Sequence, residues 1–163
     1  TSVGGIDPRN GEVFAYYETV GGGMGAGPTG PGLSGVHCHM SNSLNTPVEA
    51  LEHAYPYRVT HYGIRRNSGG SGMYQGGDGL RRDLMLLVPA RVVLLSERRT
   101  SGPSGAQGGK AGAPGENVLI CDGVEKHLPG KTSFTIQAGD IISIRSPGGG
   151  GWGAIPEESE HEN

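Results

Sequence analysis

The chain is predicted to be a mainly β domain, α+β with one short helix. Three observations predict it. Several short runs are rich in β-branched and aromatic residues and are bounded by turn signals. Only one stretch carries a clear helix start. Glycine is present 32 times in 163 residues, and much of it falls in three long segments that break regular structure.

Taken in order, Glu12–Glu18 (EVFAYYE) reads as a strand. The first glycine segment, Gly21–Gly32, follows it. Gly21, Gly23 and Ala26 imitate a dinucleotide loop, but Pro28 and Pro31 prevent the helix such a loop must open. Val36–Met40 reads as a short strand. Thr46, Pro47 and Glu49 then form T-x-x-E with proline at the first helical position, which predicts a capping box and a helix over Pro47–Ala54. Pro56 ends it by restricting Tyr55. Tyr57–Arg66 reads as a strand interrupted by Gly63, and Asn67–Gly79 is the second glycine segment. Asp83–Arg99 is the most apolar stretch. Pro89 excludes one continuous helix, and Val88, Val92 and Val93 favour two strands meeting at Pro89–Ala90. In the third glycine segment, Ser101–Asn117, Gly102, Gly105 and Gly108 hold a period of three that Ala111 breaks, so no collagen triple helix follows. Strands are predicted from Asn117, Lys131 and Asp140, the last two parted by a turn at Ala138–Gly139. A phosphate loop at Gly130–Thr132 fails, because Glu125 stands where a glycine is needed. The expected organisation is one domain over residues 1–153 and an acidic, disordered tail over 154–163.

Bulk properties exclude several classes. The net charge of -3 lacks the basic excess of a nucleic-acid binder. No apolar run is long enough to span a membrane as a helix. Cys38 and Cys121 make no disulfide framework, so a reducing compartment, the cytoplasm, is expected. Thr1 opens the chain without methionine. A trimmed methionine, a longer precursor and a terminal nucleophile are the three readings of that fact. So glycine-rich a chain loses much backbone entropy on folding, which points to a partner surface that orders it. The glycine segments then suit close backbone approach to a ligand or another chain.

The chemistry-bearing residues concentrate before the helix. His37 and His39 lie two apart and share one side of a strand, a spacing that suits a metal, though H-x-H alone assigns none. Glu49 belongs to the capping box, which leaves Glu52 as the freer carboxylate and the candidate base. Asn42 and Asn45 could turn the chain or orient an amide substrate. Arg65, Arg66, Arg81 and Arg82 flank the second glycine segment, where they steer an anion or form a salt-bridged surface. Asp78 suits a turn, Trp152 an anchor, and Cys121 a buried small hydrophobe. The candidate set is catalytic His37, His39 and Glu52, with Asn42, Asn45, Arg65 and Arg81 on the substrate and no metal ligand assigned.

Seven motifs in one order carry a family resemblance: GGGMGAG, GVHCHMSNSLNTPVEALEHAYPYRV, IRRNSGGSGMYQGGDGLRR, ARVVLLSERR, GGKAGAPGEN, LPGK and SPGGGGWG. Together they resemble the carboxy-terminal part of the hydantoinase B family, over roughly Phe14 to Gly153. Two departures stand out. Gly27 follows Ala26 where relatives carry arginine, and Pro31–Gly32 stands where Asp-Gly is expected.

The resemblance implies part of a larger assembly, either a separately encoded subunit or a processed piece, inactive alone. It implies a hydantoinase A-type partner that binds ATP and Mg2+, and a chain that supplies the amino-terminal part of hydantoinase B, where relatives place any divalent metal. The implied activity is ATP-dependent opening of a hydantoin-, oxoproline- or lactam-type cyclic amide. A biotin-independent ketone carboxylase subunit and a non-catalytic structural subunit are the alternatives.

Overall fold

A computed structural model describes residues 1–38, 41 and 43–155. His39, Met40, Asn42 and the segment 156–163 lie outside the described residues, and with them part of the expected Val36–Met40 strand and of the tail.

The expected mainly β class is what the structure shows. The strands are β1 (Ser2–Asp7), β2 (Glu12–Tyr17), β3 (Tyr57–Arg65), β4 (Gly79–Leu86), β5 (Ala90–Leu95), β6 (Glu116–Cys121), β7 (Val124–Leu128), β8 (Lys131–Ile136) and β9 (Ile141–Arg145). The helix α1 covers Val48–Ala54. A four-stranded sheet has the order β2-β1-β5-β8, and a five-stranded sheet the order β3-β4-β9-β6-β7. Every pairing is antiparallel. Alternation sends Phe14, Tyr16, Val3 and Val92 inward from the first sheet and Leu84, Leu86, Ile142 and Ile144 inward from the second, into one shared core. Leu51 of α1 and Tyr57 are fully buried in it, each worth roughly 1.5–3 kcal/mol on burial. Tyr57 stands edge-on to Phe14 at 5.7 Å and to Tyr16 at 5.9 Å.

The two strands expected around Pro89 exist but do not pair with each other. β4 belongs to one sheet and β5 to the other, so Pro89 marks the crossing between layers. Two strands went unpredicted. β1 carries Gly4 and Gly5, which weaken any strand signal; Gly5 fits beneath the Phe14 ring, where an added Cβ would lie 3.1 Å from a ring carbon. β7 pairs with β6 through Asp122–Gly123, both at positive φ, and that D-G pair was the missed hairpin signal. The capping box is not formed. Pro47 occupies the cap position without a side-chain bond, and the Thr46 amide donates to Glu18 Oε1 instead of to Glu49. Val36 makes only an isolated bridge to Gly22.

The glycine segments correct the largest expectation. They do not stand open to a ligand or another chain; they pack on one another at one end of the sandwich. The segment after β9 runs through the middle. Gly70 donates to the Gly149 carbonyl at 2.8 Å, Ala26 to Gly150 at 2.9 Å, and Ala106 to Gly151 at 2.9 Å, so all three earlier segments bond to it. An added Cβ would strike Ser68 from Gly148, Met24 from Gly149, Ser104 from Gly150 and Ser71 from Gly151, each within 2.2 Å of a carbonyl oxygen. Gly148 and Gly151 face the same neighbour, three residues apart on both segments. The packing is so tight that only hydrogen fits at these positions. The glycines order each other, which offsets the entropy that seemed to require a partner.

Candidate functional site

Residues 33–38 and 43–47 lie between the glycine bundle and the sandwich, and polar groups hold them. Asn45 Nδ2 donates to the Thr19 carbonyl at 2.7 Å, so its Oδ1 is the acceptor that meets His37 Nε2 at 3.1 Å. Tyr62 Oη and the Gly21 amide also donate to that oxygen, at 3.3 and 3.4 Å. Against that oxygen His37 Nε2 is the donor. Nδ1 is buried and has no hydrogen-bond partner among the described residues.

Beside this pair lies a buried ion pair. Arg82 is fully buried, with Nε 3.4 Å from Glu18 Oε2 and Nη2 donating to the Thr46 carbonyl at 2.9 Å. The guanidinium lies 4.6 Å from the centre of the Tyr62 ring, which partly compensates Nε and Nη1, neither of which makes a hydrogen bond among the described residues. Glu18 Oε1 accepts from the Thr46 amide, and Thr46 Oγ1 accepts from Tyr16 Oη at 3.0 Å. Burial pushes the Tyr16 phenol up to about 12, against the opposing pull of the Thr46 bond. Neither Glu18 nor buried Arg82 was singled out in the sequence as a partner of this segment. Glu18 follows β2 and Arg82 lies in β4, and they meet only through the fold.

A cleft of about 640 Å³ opens where the end of β2 meets the ends of β5 and β9. Thr19, Val20, Cys38 and Ser41 line one side, and Val93, Arg99 and Ile144 line another. Arg99 donates from Nε to Asn117 Oδ1 at 3.0 Å; burial and then the Arg65 charge lower its pKa. The expected pocket segment therefore divides its work: Cys38 and Ser41 face the cleft, while His37 and Asn45 brace it.

The other candidates lie elsewhere. Glu52 Oε1 accepts from the Val59 amide at 2.8 Å, next to a register shift in β3, so it is not the free carboxylate the sequence suggested. Arg65 pairs with Glu116 and donates to the Pro114 carbonyl at 2.7 Å. Arg81 pairs with Asp83 at 2.6 Å, and that bond raises its pKa. Asp78 fixes a turn by accepting from the amides of Ser68 and Gly69. Trp152 stacks toward Tyr74 at 6.1 Å within the glycine bundle. Cys121 is half-exposed, not buried, and desolvation with the Asp140 contact pushes its thiol up. Among the described residues no three His, Cys, Asp or Glu side chains converge as metal ligands, and His39 lies outside them. The glycine segments offer no nucleotide cradle, because amides such as Gly77 N and Gly149 N already donate to Met24 and Gly77 carbonyls at 2.8 Å.

A family model described as Hydantoinase B/oxoprolinase matches residues 1–155. The chain is similar to 5-oxoprolinase 1 of Arabidopsis thaliana, 47% identical over 144 residues that cover 88% of this chain and 11% of that protein. Its fold matches the crystal structure of the ATP-dependent caprolactamase from Pseudomonas jessenii with a TM-score of 0.79 and 27% identity, over 94% of this chain and 28% of that one. A nucleotide-free acetone carboxylase structure shares the fold at a TM-score of 0.76 and 20% identity, over 93% of this chain and 25% of that one. The chain thus spans well under a third of each of these relatives.

Proposed function

We propose a function on one premise: this chain belongs to the hydantoinase B/oxoprolinase family. It supplies one domain of an ATP-dependent amidohydrolase that opens a hydantoin-, oxoproline- or lactam-type ring. The observation that carries this reading is its similarity, over most of its own length, to proteins named 5-oxoprolinase and caprolactamase. The chain works in the cytoplasm, with its two cysteines free, and is inactive without an A-type ATP-binding partner and the remainder of a B-type fold. ATP and Mg2+ belong to that partner, where ATP supplies the phosphoryl group that makes an amide oxygen a leaving group.

Within this chain, His37 and Asn45 are the residues assigned to the reacting region, together with His39 and Asn42 of the same segment. Asn45 orients the His37 ring, and the pair holds the segment whose Cys38 and Ser41 line the cleft. The bonds of Glu52, Arg65 and Arg81 support positioning roles for them: Glu52 holds β3 to α1, and the arginines lock the outer face of the five-stranded sheet.

The test is ring opening by the assembled complex. His37→Ala is expected to lower turnover by at least about 10²-fold while assembly is retained. Turnover near that of the unaltered complex would leave the segment as scaffold. A requirement for bicarbonate, with a carboxylated product, would move the assignment to the ketone carboxylases.

A further inference from the structure

The two sheets finish their outer faces in opposite ways. On the five-stranded sheet, Arg81 lies on Asp83, and Arg145 bridges Glu116 and Glu125. Its free edge, β7, shows Glu125, Lys126 and His127 to water. Charged faces and charged edges are how sheets avoid unwanted partners. The four-stranded sheet is far less charged. Its outer face across β2, β1 and β5 presents Ile6, Val13, Ala15, Tyr17, Val93 and Leu95, with Ile6 63%, Val13 82% and Tyr17 70% exposed. Most of these line a shallow apolar groove of about 600 Å³. Among the described residues the edge strand β2 has no pairing partner on its far side, and it carries no lysine or proline to guard it.

Resting on the family reading above, we propose that this face seats the remainder of a hydantoinase B-type fold. The matched region is only 28% of the caprolactamase chain that shares its fold, so most of such a protein lies outside it and must contact it somewhere. The patch suits that occupant. Its lining is mostly apolar: Arg91, in register with Gly4, is the one charged side chain of the groove, and Lys131 on β8 is already paired to Glu97 at 2.9 Å. A mostly apolar patch with a single arginine is the anatomy of a protein interface, where arginine is enriched and other charges are depleted, and one cation offers an anionic lipid or nucleic acid little to hold. The occupant brings an apolar layer that covers the sheet about 10 Å above it.

The experiment mixes the chain with Arabidopsis thaliana 5-oxoprolinase 1 from which the matched region has been deleted, and follows co-elution. Val13→Glu and Tyr17→Glu are the test variants. Val124→Glu repeats the valine-to-glutamate change at another well-exposed position, on the other sheet. All three are first checked for unaltered melting, and the two test variants back each other up should one fail to fold. The expected result is at least about tenfold weaker association for V13E and Y17E, with V124E unchanged. Equal association by all variants, or equal loss by all three, overturns the docking face while the family reading stands. Self-association of the chain that V13E abolishes puts a second copy on the face and overturns it too. Failure of the unaltered chain to bind at all counts instead against its place in such an assembly.

Discussion

Glu18 and Arg82 show how little a local reading reveals about a buried charge. Arg82 sits in a doublet that suits a solvated face, yet it is fully enclosed and leans on one carboxylate, one carbonyl and one aromatic ring. Removing one partner of a buried pair strands the other, at a cost of about 3–5 kcal/mol. Glu18→Gln is therefore expected to lower unfolding stability by that amount in urea titration, and Glu18→Gln with Arg82→Met is expected to recover part of it. Equal losses in the single and double variants would mean that the pair contributes little as a pair. His37 and Asn45 were legible because both stand in one polar segment. Glu18 was not, since only the fold brings it to Thr46.

At the level of elements, what was legible followed period and punctuation. β5, β8 and β9 alternate cleanly or run apolar between turns, and α1 lies between Pro47 and Pro56. β1 was hidden because its glycines serve packing under Phe14, a reason visible only with the other strand in place. The glycine bundle was half legible. Gly102 and Gly105 pack against residues 109–113 of their own segment, and that segment then bonds to the second glycine segment and to the one after β9 rather than to a repeat. The bundle makes a sharp prediction. A Cβ on Gly77 would lie 1.9 Å from the Leu33 carbonyl oxygen, whereas Gly27 has nothing within 4 Å. Gly77→Ala is expected to cost about 1–3 kcal/mol or more, and Gly27→Ala to be neutral or to stabilise by up to about 1 kcal/mol. Thermal melts of the two variants check it; similar melts would mean that the segments do not pack as described.

For the whole molecule, the carboxylates set the response to acid. Arg9 holds Asp7 below its usual range through hydrogen bonds, Arg145 does the same for Glu125, and Lys131 for Glu97. A carboxyl group whose pKa is lowered on folding adds stability above its unfolded value, and that contribution disappears as pH falls through the folded one. The urea midpoint is expected to stay level from neutrality down to the ordinary carboxylate range near pH 4, and to fall below it. A midpoint that began to fall near neutrality would assign the loss to other groups. At this scale the class and the family motifs were legible in sequence order, while the closed glycine end and the open apolar sheet face were not, because both are properties of surfaces that the fold assembles.

The central claim, that this chain completes an ATP-dependent cyclic-amide hydrolase, is met most directly by one coupled assay. ADP release and ring opening are followed in the complex of an A-type partner and a B-type remainder, with and without this chain, and with bicarbonate left out. The account predicts that ring opening matches ADP release when the chain is present and stops when it is withheld. Ring opening that proceeds unchanged without the chain would contradict it.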